Sequence, residues 1–282
     1  MSSPPIQWYP GHIAKAQRQL QQQLSKVDAI LEIVDARIPL ASRHPDLDRW
    51  TQNKPRIVVL NRADCIAPQG LQAWQDWFTR HTIEVWPTNA QAGEGVNRVR
   101  QAVQQAGQAI NLRRRRRGMQ PRPIRAVVLG FPNVGKSALL NRLVGRRVVD
   151  SARRPGVTRQ LRWVRLGQDL DLLDAPGILP SKLENQSAAT KLAICDDIGE
   201  AAYTDEHVAA ALLELLPNVE PTASAILCDR YGFESLSAPG SILVHQFASD
   251  RHAGQVERAA KQILTDYRKG LLGPLALEYP PD

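Results

Sequence analysis

Eight residues at 130–137, GFPNVGKS, fit the pattern G-x-x-x-x-G-K-[ST] between an apolar run and a helical stretch. Glycines there let successive backbone N–H groups turn inward, and the following helix adds the positive end of its dipole, so the segment suits a polyphosphate. Asn133, Val134, Gly135 and Ala138 then lie along the phosphates. Lys136 reaches the outer two, and the Ser137 hydroxyl ligates Mg²⁺. Forty residues on, Asp174-Ala175-Pro176-Gly177 ends a second apolar run, where Asp174 can hold the Mg²⁺ hydration shell and Gly177 can offer its N–H to a γ-phosphate. Between them, Arg154-Pro155-Gly156-Val157-Thr158 supplies a threonine that would complete the Mg²⁺ shell only when a γ-phosphate is present, the logic of a switch. A base reader is also needed. Asn61-Arg62-Ala63-Asp64 fits, since one carboxylate accepting from both N1–H and the exocyclic amine selects guanine, and adenine would leave Asp64 unpaired. N-x-x-D alone is common in turns. Thr88-Asn89-Ala90 is weaker still, with a backbone N–H for the guanine oxygen.

These segments need rigid elements behind them. Residues 29–34 (AILEIV), 56–60 (RIVVL), 82–86 (TIEVW) and 124–129 (IRAVVL) read as strands, with two more near 161–166 and 169–173. Helical spacing marks 12–26, 74–80, 96 to about 114, and the stretch carrying Ala138, Leu139, Leu140 and Leu143. Strands alternating with helices predict an α/β fold, a parallel or mixed sheet with helices on both faces. After about residue 180 the pattern turns helical, with apolar faces at Val208, Leu212, Leu215 and Leu216 and at Val256, Ala259, Ala260, Ile263, Leu264 and Tyr267; residues 234–241 read as a loop. The expected division is 1–185, a linker over 186–204, and a small all-α unit over 205–282.

Composition bounds the rest. The 282 residues are 43% hydrophobic and 23% charged, ordinary for a globular protein of this size. The longest apolar runs, such as 126–131, fall far short of the ~18 residues of a membrane span, and the start MSSPPIQWYPGH has no signal-peptide character. Cys65, Cys195 and Cys228 are odd in number and without C-x-x-C spacing, which argues against a disulfide framework or a zinc site and for a reducing cytoplasm. Of 36 basic and 28 acidic residues, 205–282 holds 6 and 11, leaving 30 and 17 before it, so a polyanionic partner is expected for the first part only.

Taken together the motifs resemble those of translation-factor-type GTPases in the wrong order, with the base motifs before the phosphate motifs, as in circularly permuted GTPases. WYPGHIAKA, VDARIPLASR, GFPNVGKS, RPGVTR and LLDAPGI resemble the ribosome-biogenesis GTPase A family (RbgA/YlqF type) over residues 7–200. The resemblance implies a P-loop GTPase three-layer sheet, circularly permuted, with GTP as substrate and the large ribosomal subunit precursor and its rRNA as partners; neither membrane nor DNA is expected. Cutting the chain after D-x-x-G places the helix at His12 and the tail after Gly177 beside the second switch. The position that carries a water-orienting glutamine in Ras-type enzymes is Ile178, which cannot serve, so His12 is the candidate for that role. His12 as a helix cap or an RNA contact is the plainer alternative. Asn133 resembles the residue that marks potassium-activated GTPases; the alternative is that it steadies its own loop. Arg62 stands where the family has lysine, a larger group of the same charge.

Arg113, Arg114, Arg115, Arg116 and Arg117 form a basic run at a helix end. Alone it reads as a solvated face; the resemblance makes it a contact to rRNA phosphates. In the helical unit a local basic face of Arg258, Lys261, Arg268 and Lys269 would be needed for the same purpose. The expected function is a GTP-hydrolysing assembly factor, slow alone and stimulated by ribosomal particles. The alternative is an RNA-binding module whose affinity GTP tunes; a P-loop ATPase is disfavoured by Asp64.

Overall fold

The computed structural model describes residue 6 and residues 12–51, 54–148, 161–180, 183–199 and 202–281, with the side chains of 12–17 outside the description. Six strands form one sheet in the order β3-β2-β1-β4-β6-β5. They are β1 (Ala29–Asp35), β2 (Arg56–Asn61), β3 (Val85–Thr88), β4 (Ile124–Leu129), β5 (Arg162–Leu166) and β6 (Leu170–Asp174). All neighbours run parallel except the β5–β6 hairpin at one edge. Every residue of β1 is buried, as a central strand covered on both faces must be. The charge in its middle, Glu32, is matched by Arg43 at 3.0 Å and Arg56 at 3.3 Å.

Alternation sorts the strand residues between two apolar layers. Ile30, Val127, Leu129 and Leu173 face α1 (His12–Leu24) and α2 (Leu47–Thr51), while Val58 and Leu60 meet Trp74 and Phe78 of α3 (Pro68–Arg80). Leu31, Ile33, Val59 and Val128 face the opposite way, towards α4 (Val96–Arg116) and α5 (Lys136–Val144). That second core continues without a break into α6 (Gln186–Ile194), α7 (Asp205–Val219), α8 (Ala223–Tyr231), α9 (Gly240–Arg251) and α10 (Val256–Arg268).

Several elements differ from expectation for identifiable reasons. The third strand starts at Val85 rather than 82 because Thr82 takes a left-handed φ of 57° as α3 ends. Residues 186–204, expected as a linker, carry α6; the Asn185 side chain caps it by accepting from Ala188 N–H at 3.0 Å, and Leu192, Ala193 and Ile194 are buried. α2, α8 and α9 were not legible. α9 in particular mixes Ser, His and Gln with Leu243, Val244, Phe247 and Ala248, and only packing reveals its buried side.

Chain ends and connector meet where a cut after D-x-x-G would bring them. Leu20 and Leu24 of α1 share a cluster with Ala175 and Ile178. Ile6 exchanges two hydrogen bonds with Gln186, its N–H donating to Oε1 at 2.8 Å and its carbonyl accepting from Nε2 at 3.3 Å.

At the end of β1 lies a buried ion pair. Arg37 Nε and one terminal nitrogen donate to the Asp35 carboxylate at 2.9 and 2.7 Å, with both side chains almost wholly buried. Arg37 also donates to the Cys195 carbonyl at 3.2 Å, stacks over the Tyr267 ring at 5.4 Å, and accepts at its own carbonyl from Leu277 N–H at 3.1 Å. Burial alone would raise the Asp35 carboxyl, but Arg37 and Arg62 hold it below the usual carboxylate range. Asp35→Ala would strand the Arg37 charge, so it should cost about 3–5 kcal/mol in urea unfolding. Arg49→Ala, removing an exposed partner of Asp46, should cost under about 1 kcal/mol. Equal losses would mean that the buried pair has no special weight.

Candidate functional site

β2, β3 and β4 end at the same edge of the sheet, and the turns that follow them line one cavity of about 1150 Å³. Asn61 ties these turns together. Its Nδ2 donates to the Val134 carbonyl at 2.7 Å, and its Oδ1 accepts from Thr88 Oγ1 and Ala90 N–H, both at 3.1 Å. Gly135 is required under that amide: its φ is 99°, and a Cβ would lie 2.1 Å from Asn61 Nδ2. Of the backbone N–H groups in Thr88-Asn89-Ala90, that of Ala90 is therefore already engaged by Asn61. Asn89 turns its own loop instead, its Oδ1 accepting from Gln91 and Ala92 N–H.

The turn after β2 is a short 3₁₀ segment, Ala63–Cys65, entered through Arg62 in a left-handed conformation (φ 61°). This puts Asp64 on the cavity wall. Arg62 points away from solvent, donating to the Asn133 carbonyl at 2.7 Å and lying 3.3 Å from Asp35. The larger side chain thus bridges the phosphate loop to the ion pair at the end of β1.

α5 begins at Lys136, directly behind the loop. Lys136 is buried and its Nζ donates to the Phe131 carbonyl at 2.6 Å; burial draws its pKa down to about 8, against the pull of Asp174 and Asp197. Ser137 and Ala138 line the cavity beside Asn133, Gly135 and Gly177. Val134 is buried, with its N–H donating to the Pro132 carbonyl at 2.8 Å. Gly177 runs so close to Pro132 that a Cβ would sit 2.7 Å from its backbone. Asp174 is buried at the end of β6. A hydroxyl and a carboxylate are the hard oxygen donors that Mg²⁺ takes when phosphates and water complete its shell, so the residues present fit that ion.

Other expectations fall differently. Thr158 and its loop lie outside the described residues. His12 is the first residue of α1, but its side chain is outside the description. The five arginines form the last turn of α4 and its cap; all but half-buried Arg114 are exposed, at the helix end that favours cations. The basic face expected on the helical unit does not form as such. Arg268 turns inward to the Ala193 and Ile194 carbonyls and the Tyr203 hydroxyl, and Lys261 pairs with Glu257 at 2.6 Å.

Two features escaped the sequence reading. Asn133 Nδ2 donates to the Asp196 carbonyl at 2.7 Å, joining the phosphate loop to the segment after α6. Asp197 is fully buried, no described residue gives its carboxylate oxygens a hydrogen bond, and burial pushes its pKa well up. Nothing local in the sequence marks either one.

A family model described as a 50S ribosome-binding GTPase matches residues 125–220. Curated relatives named ribosome biogenesis GTPase A align along nearly the whole chain. That of Bacillus licheniformis is 35% identical, spanning 98% of this chain and 99% of the relative. That of Priestia megaterium is 36% identical, spanning 98% of each. Among solved structures, GNP-bound YlqF from T. maritima has a TM-score of 0.65 at 24% identity, covering 95% of this chain and 99% of that one. A GDP-bound structure described as TM YlqF gives 0.66 at 22%, covering 94% and 100%. These structural likenesses bear on the fold, which is that of a P-loop GTPase with a helical C-terminal part.

Asp64→Asn tests the base reader. An amide no longer accepts from both guanine donors, but it can donate to the second oxygen of xanthine. GDP affinity should fall about a hundredfold while xanthosine diphosphate binds better than to the unchanged protein, read by competition against a fluorescent nucleotide. Unchanged GDP affinity would remove Asp64 from the site.

Proposed function

The chain belongs to the ribosome biogenesis GTPase A family, and from that membership we propose that it is a cytoplasmic assembly factor for the large ribosomal subunit, binding the precursor in its GTP state and leaving after hydrolysis. One observation carries the coupling between nucleotide and partner: the phosphate loop is hydrogen-bonded through Asn133 to Asp196, in the segment that leads into the helical unit. A shift of that loop with the γ-phosphate would thus reach α6 and α7 directly.

In this reading the backbone of the loop and Lys136 hold the phosphates, and Asp64 selects guanine. Ser137, Thr158 and, through water, Asp174 would hold Mg²⁺, which when bound neutralises charge on the phosphates. Asn133 is also a reasonable K⁺ ligand. Its amide nitrogen is engaged by Asp196, which leaves Oδ1, a neutral oxygen donor, on a residue that lines the cavity.

Ile178 is buried against α1 and offers no group to a water. The packing of Leu20 and Leu24 on Ala175 and Ile178 holds the C-terminal half of α1 against the segment after Asp174, and His12, the first residue of that helix, is the residue proposed to orient the attacking water. Without a preset catalytic group, turnover alone should be slow, around 10⁻⁴–10⁻² s⁻¹, and faster on the particle. The exposed arginines at the end of α4 would contact rRNA phosphates, giving salt-dependent affinity without sequence readout.

The proposal is tested by sedimenting the protein with purified large-subunit particles. Co-sedimentation should be strong with a non-hydrolysable GTP analogue and weak with GDP. Equal pelleting in both states contradicts nucleotide-controlled docking. His12→Ala should lower particle-stimulated turnover about a hundredfold with nucleotide affinity retained. Unchanged turnover would remove His12 from catalysis; a collapse that leaves assembly intact would favour an RNA-binding module tuned by GTP.

A further inference from the structure

The elements of the sheet do not close the nucleotide cavity alone. Lys269 and Leu271, from the turn that ends α10 in the helical unit, line the same space as Asn61, Asp64 and Asn133. The turn is braced from within. Leu271 N–H donates back to the Asp266 carbonyl at 2.8 Å and Gly270 N–H to the Tyr267 carbonyl at 3.0 Å, with Gly270 at φ 72°, a helix-ending arrangement that glycine permits.

The turn is also braced from outside. The Tyr267 ring receives the Arg37 guanidinium at 5.4 Å, and its hydroxyl donates to the Leu275 carbonyl at 3.1 Å. Arg268 donates to the Ala193 and Ile194 carbonyls at 2.9 and 3.0 Å. Cys65, next in the chain to Asp64, lines the same cavity as Lys269 and Leu271. The end of α10 is thereby held beside the turn that reads the base.

On this fixed turn the two adjacent leucines behave oppositely. Leu272 is buried at 3% exposure, whereas Leu271 is 56% exposed. Lys269 is exposed as well. A leucine held in water at the rim of a cavity shaped for a purine nucleotide can bury its apolar surface when that cavity fills.

We propose that Leu271 and Lys269 form an additional wall of the guanine-nucleotide site, Leu271 packing against the base–ribose end and Lys269 adding a cation near the anionic ligand, so that bound nucleotide touches both units at once. This rests on the guanine-nucleotide reading above. It assigns the helical unit a direct part in nucleotide affinity. As contacts made only in the bound state, those of Leu271 and Lys269 should act mainly on the dissociation rate.

The test uses the full chain and a fluorescent GDP analogue, following equilibrium binding and displacement by excess GDP. Leu271→Ser should dissociate about five- to tenfold faster, and Leu271→Met should restore the original rate. Lys269→Ala should weaken binding about threefold, with the difference shrinking as salt is raised. Ile242→Ser, an equally exposed residue on α9 outside the cavity, serves as the control and should match the unchanged protein. If the unchanged protein binds GDP and Leu271→Ser releases it at the same rate, the inference is overturned. If the unchanged protein binds no guanine nucleotide, the guanine reading itself fails. A Leu271→Ser defect confined to particle binding would make the residue a docking contact and also overturn the proposal.

Discussion

The buried Asp35–Arg37 ion pair draws together parts of the chain that lie far apart in sequence. An arginine at 1% exposure must have its charge matched, and the groups gathered around Arg37 come from different parts of the chain. Asp35 ends the central strand. The Cys195 carbonyl belongs to the segment after α6, Tyr267 to α10, and Leu277 to the returning C-terminal tail. Arg62, beside the same carboxylate, belongs to the turn after β2 that carries Asp64. A solvated pair would leave these pieces independent, whereas a buried one couples their positions.

The tail reinforces this arrangement. After Leu277 it runs across the sheet side, where the Glu278 carbonyl accepts from Trp74 Nε1 at 3.2 Å and its carboxylate accepts from Ala41 N–H at 3.2 Å. Tyr279 then reaches back to Glu220, the residue that caps α7, at 2.6 Å. The helical part is thus joined to the sheet through α6, through α10 and through the tail. This is the arrangement expected of a molecule in which events at the phosphate loop are felt at a distant surface.

What was legible in the sequence was chemistry that needs neighbours in sequence. Phosphate binding would need consecutive backbone N–H groups and a helix start, which marks residues 130–137 as candidates; base reading would need a carboxylate just beyond a strand, which marks Asp64, and the fold brings both to one cavity. The strand at 124–129 was legible to the residue, because a buried parallel strand is a continuous apolar run bounded by a turn. What was not legible joins residues far apart. Arg37 and Cys195 are separated by 158 positions and Asn133 and Asp196 by 63, and a single sequence pairs neither. VDARIPLASR carried the family resemblance without an assigned role. The fold gives it one, a joint, with Ser42 Oγ accepting from Asp35 N–H at 3.0 Å and donating to the Ile38 carbonyl at 2.8 Å. Likewise Arg62, expected only to fill more space than lysine, uses its fork to reach two partners that a single ammonium would not span.

The proposed function wires a nucleotide site of the P-loop type to a docking surface for ribosomal particles. The most direct measurement is GTP turnover at low salt, in K⁺ and then in Na⁺, with and without purified large subunits. Turnover should be slow alone, clearly stimulated by the subunits, and lost when Na⁺ replaces K⁺. Turnover that the subunits leave unchanged in both salts would contradict the proposed function, leaving the nucleotide site intact but without its proposed partner.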